Sequence, residues 1–305
     1  MTGRVGVAPV VARACWALLS TGVAKAGCMK LGSRSAVYRV SLTDGRSVVV
    51  KVFSESARRN AITEGRMIAA ATGFVRVPAV LGCGPVPGHQ ATAVVTTDLG
   101  PLTLDGAVQA GRIPRAQGLR YLGTLLGRFH EIPSVQGLAV RPFAEHVAWL
   151  ARRCPRTVMN RLEPALQIMA EPCADLSRMV MGHGDLHGDN IVIPEHGPAA
   201  GLLHVVDFAQ SGLCVPEFDV AQTMTVTGAV ETDDRERVTA AYGRPLDDDL
   251  VDASVAFHTV RCWVCTERSG DGVERAQWAQ RLNRAVERTA HLFRTPTSLK
   301  ESSRQ

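Results

Sequence analysis

Aromatic residues, lysines and long apolar runs are scarce in this sequence. Phe, Trp and Tyr make up 5% of the 305 residues, too few for the stacking surface with which proteins bind single-stranded nucleic acid. Lysine accounts for only 4 of the 34 basic residues, and the arginines are spread along the chain. No apolar stretch approaches the roughly 18 residues that cross a membrane as a helix. We therefore expect a cytoplasmic protein that binds neither nucleic acid nor membrane.

The cysteines show no metal-binding or disulfide pattern. Eight are scattered along the chain, and only Cys262 and Cys265 have a Cys-x-x-Cys spacing. Because no second Cys or His pair lies near them in sequence, buried free thiols are a better interpretation than a zinc or redox site. The length suits one large domain or two packed lobes with a substantial core.

The first hundred residues are predicted to form a small sheet with one helix. Residues 47–53 (SVVVKVF) are dense in β-branched residues, which favours a strand. Ser54 is placed to cap a helix over 55–72, and Gly73 is placed to end it. Further strands are predicted at 26–32, 35–42, 81–84 and 91–97.

A change of composition at residues 98–101 (Asp-Leu-Gly-Pro) predicts a hinge. Beyond it the apolar spacing is mostly helical, with helices predicted at 121–132, 143–153, 157–169, 234–242, 247–267 and 274–293. The pattern predicts an α+β, two-lobed protein. We expect a β-rich N-lobe at 1–99, a mostly helical C-lobe at 100–295 and a disordered tail at 296–305.

A polar loop between apolar segments carries the strongest chemical signal. From His183 to Asn190 every residue except Leu186 is His, Asp, Asn or Gly, and such polarity between buried strands has to be compensated. The next predicted strand ends at Asp207, and a hairpin would bring Asp207 beside Asn190. Their carboxylate and amide oxygens suit Mg²⁺, while Asp185 is a candidate to orient an attacking hydroxyl and accept its proton. The alternative is a pair of local Asx turns, which a motif this dense makes remote.

Lys51 gives the second signal, because it lies inside a β-branched strand, where a buried ammonium needs a partner or an anion. Glu64 follows on the predicted helix and would supply that partner. At about 4 Å and an effective dielectric near 20, such a pair attracts by roughly 4 kcal/mol before desolvation. Ile62, Met67 and Ile68 of the same helix are expected to face the sheet. The alternative is a lysine that extends from an edge strand into solvent.

These motifs resemble those of the aminoglycoside phosphotransferase family, which shares the protein-kinase-like fold. The similarity spans about 31–219, and the motif HGDLHxxN at 183–190 is that family's catalytic-loop signature. The sequence departs from the protein-kinase pattern in two places, since the loop at 31–37 has a single glycine and Phe-Ala follows Asp207. Asp219 follows Asp207 too soon for an activation segment, which favours a small-molecule acceptor over a protein.

The resemblance implies roles for five residues in phosphoryl transfer. Asp185 would be the catalytic base, and Asn190 and Asp207 would hold the Mg²⁺ ions. Lys51, paired with Glu64, would position the α- and β-phosphates of ATP or GTP.

Four more residues have implied roles around the nucleotide, and a fifth has one at the catalytic loop. Asp98 and Leu99 would line the purine pocket as part of the hinge. The hydroxyls of Ser33 and Ser35 would contact phosphate, together with backbone amides. Asp219 matches a structural aspartate that braces the catalytic loop, and a helix-capping role is compatible with that one.

The acceptor is the least determined part of this interpretation. Candidate substrate contacts are Asp189, Glu217, His258, Arg261 and Glu267. A polycationic aminoglycoside needs several carboxylates, and the net charge of +5 matches it poorly, so a nucleoside or peptide antibiotic stays open. Choline is less favoured because an aromatic cage requires more aromatic residues than the C-lobe offers.

Three functions follow from these observations. The first is an antibiotic-inactivating O-phosphotransferase that uses ATP or GTP with Mg²⁺ and confers resistance or self-resistance. The second is a metabolic small-molecule kinase of the choline, homoserine or sugar type. The third is an inactive kinase-fold binding protein, which the intact set of five residues disfavours. The oligomeric state is left open.

Overall fold

The computed structural model describes residues 9–32, 35–135, 143–266 and 272–292. The candidate residues Ser33 and Glu267 and the predicted tail at 296–305 lie outside these ranges. The chain divides into two compact units. The first comprises Met1–Gly118, Glu131–Leu138 and His183–Ser211, and the second comprises Leu119–His130, Ala139–Gly182 and Gly212–Gln305.

The observed elements confirm the prediction of an α+β protein. The helices are α1 (Pro9–Leu19), α2 (Arg58–Ala71), α3 (Leu104–Gln109), α4 (Arg115–Phe129), α5 (Phe143–Ala151), α6 (Arg156–Ala170), α7 (Pro216–Thr227), α8 (Thr232–Tyr242), α9 (Asp248–Thr266) and α10 (Gly272–Leu292). The strands are β1 (Val23–Leu31), β2 (Ser35–Leu42), β3 (Ser47–Ser54), β4 (Val80–Pro85), β5 (Ala91–Thr97), β6 (Val180–Gly182), β7 (Ile191–Val192), β8 (His204–Val205) and β9 (Gly212–Cys214). Within the described ranges, none of the helices has the length and apolar character needed to span a membrane.

The first unit is built on a five-stranded antiparallel sheet in the order β1-β2-β3-β5-β4. Side chains alternate between the two faces of β3, as they do in any strand. Val48 and Val50 pack into a core cluster that includes Val11 and Ala14 of α1. Phe53 packs on the opposite face with Ala57 and other small residues beside α2. Lys51 has the same parity as Phe53, and the sequence therefore directs it toward α2.

The helix predicted at 55–72 forms, but it begins with a 3₁₀ turn and not with an α-helical turn. A 3₁₀ turn at Glu55–Ala57 precedes α2, and the Ser54 side chain makes no capping hydrogen bond, so the predicted cap is wrong. The Ser54 hydroxyl lies 3.0 Å from the Ser56 hydroxyl instead. Ile62 is 40% exposed, contrary to its predicted inward position, because the buried stripe of α2 passes through Glu64 and not through Ile62.

Helix α3 was not predicted from the sequence, because it is only six residues long and contains a glycine. The Thr103 side chain caps it by accepting a hydrogen bond from the Gly106 amide at 3.1 Å. Thr103 also bridges Val192 in β7, and the Ile193 amide donates to the Leu102 carbonyl at 2.9 Å. These bonds attach the segment after the hinge to the β7–β8 hairpin within the first unit.

The second unit is a helical assembly around α9, with β6 and β9 paired as a small antiparallel sheet. Helix α9 is buried along most of its length and shows little amphipathicity in its sequence, as expected of a central helix. Phe257 and Leu250 of α9 share a core cluster with Leu162 and Met169 of α6. The candidate residues Glu217, His258 and Arg261 all belong to this unit.

Candidate active site

The catalytic loop predicted at 183–190 is anchored within the first unit to the segment that follows β8. The buried His183 ring has Nε2 3.2 Å from the Val206 carbonyl oxygen. The His183 carbonyl accepts a hydrogen bond from the Ser211 hydroxyl at 3.1 Å. Gly184 adopts φ +75°, and a Cβ atom there would clash with the Gln210 carbonyl. The ring contact therefore depends on histidine at 183, and the close approach to Gln210 requires glycine at 184.

Asn190 and Asp207 come together because β7 and β8 pair antiparallel, with Ile191 opposite Val205. The Val206 amide extends this ladder by donating to the Asn190 carbonyl at 2.9 Å. Asp207 follows directly and adopts φ 65°, ψ 65°, a left-handed conformation that is uncommon outside glycine and that recurs at functional sites. The structure therefore shows the hairpin that the sequence predicted.

The side chain of Asn190 links this hairpin to Asp185. Its amide Nδ2 donates to the Asp185 carbonyl oxygen at 2.8 Å. The amide oxygen Oδ1 is not used in this bond and can serve as an acceptor or as a metal ligand. The Asp185 carboxylate stays partly accessible, with 33% of its side chain exposed, and lies 4.0 Å from Nε2 of His187.

Lys51 occupies the centre of the site. Its ammonium Nζ lies 2.7 Å from Glu64 Oε2 and 2.6 Å from Asp207 Oδ1, with only 10% of the side chain exposed. Burial alone would lower the pKa of Lys51, but the two carboxylates raise it above its usual range. The lysine is charged, and two carboxyl groups share it.

The two carboxylates of this triad respond differently to burial. Burial raises the pKa of Glu64 to about 7, because the favourable Lys51 charge offsets only part of the desolvation and Asp207 adds repulsion. The pKa of Asp207 is also raised by burial, yet the attraction of Lys51 dominates and holds it below the usual value. Asp207 is therefore the carboxylate that stays ionised at neutral pH.

These residues fit a divalent metal ion of the Mg²⁺ type. Asp207 Oδ2 and Asn190 Oδ1 make no hydrogen bond with any residue that the structure describes. An ionised carboxylate oxygen and an amide oxygen on adjacent strands of one hairpin are hard ligands of the kind that Mg²⁺ selects. Both residues line the same cavity.

That cavity has a volume of about 390 Å³ and lies within the first unit. Apolar side chains of the sheet and Ile68 of α2 form part of its lining, and Lys51, Asn190 and Asp207 are among its polar and charged residues. A smaller cavity of about 180 Å³ adjoins the same triad and is lined by Asp185 and Ser35. An apolar slot with convergent polar groups is the general form of a small-molecule site, and both cavities share Lys51 and Asp207.

Leu99 of the predicted hinge also lines the larger cavity. The Asp98 carboxylate is fully engaged, since it accepts from the Ser47 hydroxyl at 2.8 Å and the Gly100 amide at 3.0 Å. Arg39 also pairs with it at 2.9 Å. The side chain of Asp98 thus links this segment to β2 and β3.

Asp189 is the one acceptor candidate that lies in the first unit. Its Oδ1 accepts a hydrogen bond from the Thr103 hydroxyl at 3.1 Å, and it lines the larger cavity. Asp189 also comes near Asp105 and His187, with one ligand atom of each within 4.8 Å of the others. Burial, followed by the Asp189 charge, raises the pKa of Asp105.

The other described candidates lie in the second unit, where Glu217 and His258 have structural partners. Glu217 is buried, and its Oε1 accepts from the Asp247 amide at 3.2 Å. His258 is 1% exposed, and its Nε2 donates to the Phe218 carbonyl at 3.0 Å. Arg261 is partly exposed. A role for these three residues in binding an acceptor stays a prediction, as does the bracing role of Asp219.

Sequence reasoning missed two residues of the site. Lys30 of β1 lines both cavities, and its rarity as one of four lysines was an available signal. Asn60 of α2 donates from Nδ2 to the Ala209 carbonyl at 2.8 Å and lines the smaller cavity. Its position at the site depends on packing between distant segments, and no local sequence motif indicates it.

The chain is similar to a known protein family and to several solved structures. A model of the phosphotransferase enzyme family matches residues 30–253. No curated protein matches the chain. Among solved structures, the GDP and kanamycin complex of APH(2")-IIia has 16% identity and a TM-score of 0.67, and the match covers 90% of this chain and 97% of that one.

Two further solved structures are similar. The amicoumacin kinase hAmiN with AMP-PNP, Ca²⁺ and Ami has 14% identity and a TM-score of 0.64, with 87% and 88% of the two chains covered. The choline kinase LicA from Streptococcus pneumoniae has 16% identity and a TM-score of 0.64, with 92% and 98% covered. At these identities the similarity establishes the protein-kinase-like fold that the motifs predicted. The family match covers most of the chain, which therefore belongs to the phosphotransferase enzyme family.

Proposed function

We propose that the chain is a Mg²⁺-dependent O-phosphotransferase that moves the γ-phosphate of ATP or GTP onto a hydroxyl group of an antibiotic. The observation that carries the proposal is the Lys51 ammonium held between Glu64 and Asp207 at the wall shared by two cavities. One cavity has the apolar slot and hinge suited to a purine, and the other contains Asp185.

Each residue of the site has one task in this reaction. Lys51, oriented by Glu64, binds phosphate oxygens, and Asp98 and Leu99 shape the purine end. Asp207 and Asn190 hold Mg²⁺, which neutralises charge on the phosphates.

Asp185 accepts the proton of the acceptor hydroxyl while the new oxygen–phosphorus bond forms. The bond between the γ-phosphorus and the β–γ bridging oxygen breaks, and the nucleoside diphosphate leaves. Because such transfer needs little covalent chemistry from the protein, positioning and charge neutralisation supply most of the rate.

An antibiotic acceptor is supported by the solved structures of similar fold. One contains kanamycin and another is an amicoumacin kinase. We propose an aminoglycoside or a nucleoside or peptide antibiotic as the acceptor, with resistance or self-resistance as the outcome. Asp189 and Glu217 are proposed as contacts for cationic groups, and His258, Arg261 and Glu267 as further candidates.

A second candidate function is a metabolic small-molecule kinase, which the similarity to a choline kinase favours. The composition weighs against choline itself, because an aromatic cage for a quaternary ammonium has few aromatic residues to draw on, at 5% of the chain. An inactive binding protein is disfavoured, because all five residues proposed for phosphoryl transfer are present: Lys51, Glu64, Asp185, Asn190 and Asp207.

The proposal also includes an N-lobe at 1–99, a C-lobe at 100–295 and a cytoplasmic location.

The test is phosphate transfer from ATP and GTP, with Mg²⁺, to a panel of aminoglycoside, nucleoside and peptide antibiotics and of choline, homoserine and sugars. Mass spectrometry reads the gain of one phosphate. Phosphorylation of an antibiotic supports the proposal, and phosphorylation of choline, homoserine or a sugar alone supports the metabolic alternative. Nucleotide binding without transfer to any acceptor would support a binding protein.

A further inference from the structure

Lys30 lies near the end of β1, directly opposite Val37 in β2. It lines both the larger cavity and the smaller one, and Val37, Lys51 and Asp207 are the other residues shared by the two. A single lysine therefore borders both the slot suited to the nucleotide and the space that contains Asp185.

The charges around the larger cavity make Lys30 the least neutralised cation there. The lining includes three basic side chains and four carboxylates: Lys30, Arg39, Lys51, Glu64, Asp98, Asp189 and Asp207. Arg39 is paired with Asp98 at 2.9 Å, and Lys51 is shared by two carboxylates. Lys30 forms no ion pair with a carboxylate of the described residues. This excess of negative charge disfavours the binding of a triphosphate, unless Mg²⁺ and a cation that is not already paired with a carboxylate balance the charge.

Lys30 and Asp207, a proposed metal ligand, line the same two cavities. Lys30 itself is exposed, so its long side chain is free to reorient toward an anion in the cavity.

We propose that Lys30 is a second phosphate-binding cation that contacts the β- or γ-phosphate of the bound nucleotide, an inference that rests on the proposed function. The neighbouring loop at 31–37 contains a single glycine, Gly32. A loop with one glycine offers little of the close backbone approach by which glycine-rich loops bind phosphate. A lysine at the start of this loop supplies by charge what the backbone lacks.

The chain provides a matched control in Lys25, an exposed lysine on the same strand that lines neither cavity. Three variants are compared with the wild type: Lys30→Met, Lys30→Arg and Lys25→Met. Dissociation constants for ATP, ADP and AMP are measured by calorimetry with saturating Mg²⁺. Circular dichroism and thermal unfolding confirm that each variant folds.

The affinity of Lys30→Met for ATP is expected to fall about tenfold or more, as for the loss of one charge-assisted hydrogen bond. Its affinity for AMP should change less than about twofold, because AMP has neither of the contacted phosphates. Lys30→Arg should recover most of the ATP affinity, and Lys25→Met should match the wild type.

Equal ATP affinities for Lys30→Met and Lys25→Met would overturn this inference and leave the proposed function intact. Equal losses for ATP and AMP would also overturn it, since they would indicate a general structural effect. A wild-type chain that binds none of the three nucleotides, and does not bind GTP either, would overturn the proposed function together with the inference.

Discussion

The ammonium of Lys51 lies 2.6 Å from the carboxylate of Asp207, although 156 positions separate the two residues in sequence. Lys51 comes from the central strand of the sheet, and Asp207 from the turn after β8. Their contact joins the part of the site suited to phosphate with the part suited to metal, so that a change at either residue affects both.

Replacement of Lys51 by methionine should reduce both stability and nucleotide affinity. The variant leaves Glu64 and Asp207 without their shared cation, and breaking a buried ion pair typically costs about 3–5 kcal/mol. Urea unfolding measures the loss, and calorimetry with Mg-ATP measures binding. Lys25→Met, an exposed change on β1, serves as the control. An unfolding free energy within about 0.5 kcal/mol of the wild type would contradict a stabilising role for the pair.

Replacement of Asp185 by asparagine should greatly slow turnover without weakening the affinity for the nucleotide. The amide keeps the shape of the side chain but removes the basic group, and loss of a general base typically slows a reaction by about 10²–10⁴-fold. Single-turnover phosphate transfer to the identified acceptor measures the chemical step, while calorimetry measures the affinity for Mg-ATP. Transfer at close to the wild-type rate would remove Asp185 as the base.

Replacement of Asp207 by asparagine should weaken the dependence of nucleotide binding on Mg²⁺. Asp207 is the carboxylate of the triad that stays ionised, and its Oδ2 is available as a metal ligand. Titrations of ATP at increasing Mg²⁺ should show that the metal strengthens binding far less in the variant than in the wild type. Asp185→Asn is the comparison, since Asp185 is proposed to act on the acceptor. Identical Mg²⁺ dependence in Asp207→Asn and the wild type would exclude Asp207 as a ligand.

The sequence predicted those parts of the site that depend on residue chemistry and on pairing between neighbouring segments. The hairpin that joins Asn190 to Asp207 follows from two apolar segments around a polar turn, and the parity of Lys51 on β3 directs it to α2. Contacts that depend on packing between distant segments were missed, and Asn60 and Lys30 are the clearest cases. The error at Ile62 has the same origin, since several apolar residues of α2 compete for one buried stripe and tertiary packing selects among them.

Gly184 and Gly197 should respond differently to substitution by alanine, although both have positive φ. An ideal Cβ at Gly197 meets no atom within 4 Å, whereas one at Gly184 would clash with the Gln210 backbone. Gly197→Ala should cost only the left-handed backbone strain, about 1–2 kcal/mol. Gly184→Ala should cost more and should also slow turnover, because the displaced loop carries Asp185. Urea unfolding of the two variants gives the comparison, and equal losses would show that the contact with Gln210 has no effect.

The stability of the native state should fall with acidification because His258 is buried as the neutral imidazole. Its Nε2–H donates to the Phe218 carbonyl, and Nδ1 is buried without a hydrogen-bond partner among the described residues. Burial, followed by the positive charge of Arg261, lowers the pKa of His258 well below 6.5. The unfolded chain therefore takes up a proton near pH 6.5 that the native chain does not, and stability is lost as the pH falls below that value.

For one such group the loss between pH 7.5 and 5.5 is about 1.4 kcal/mol. Urea unfolding at both pH values would measure it in the wild type, in His258→Gln and in the control His196→Gln, whose histidine is exposed. Glutamine preserves a donor to the Phe218 carbonyl but does not titrate, so the pH-dependent loss in His258→Gln should be smaller than the wild-type loss by this amount. The control should keep the wild-type pH dependence, because it replaces an exposed histidine and leaves His258 in place. Parallel pH profiles for the wild type and His258→Gln would mean that the native state accommodates a protonated His258.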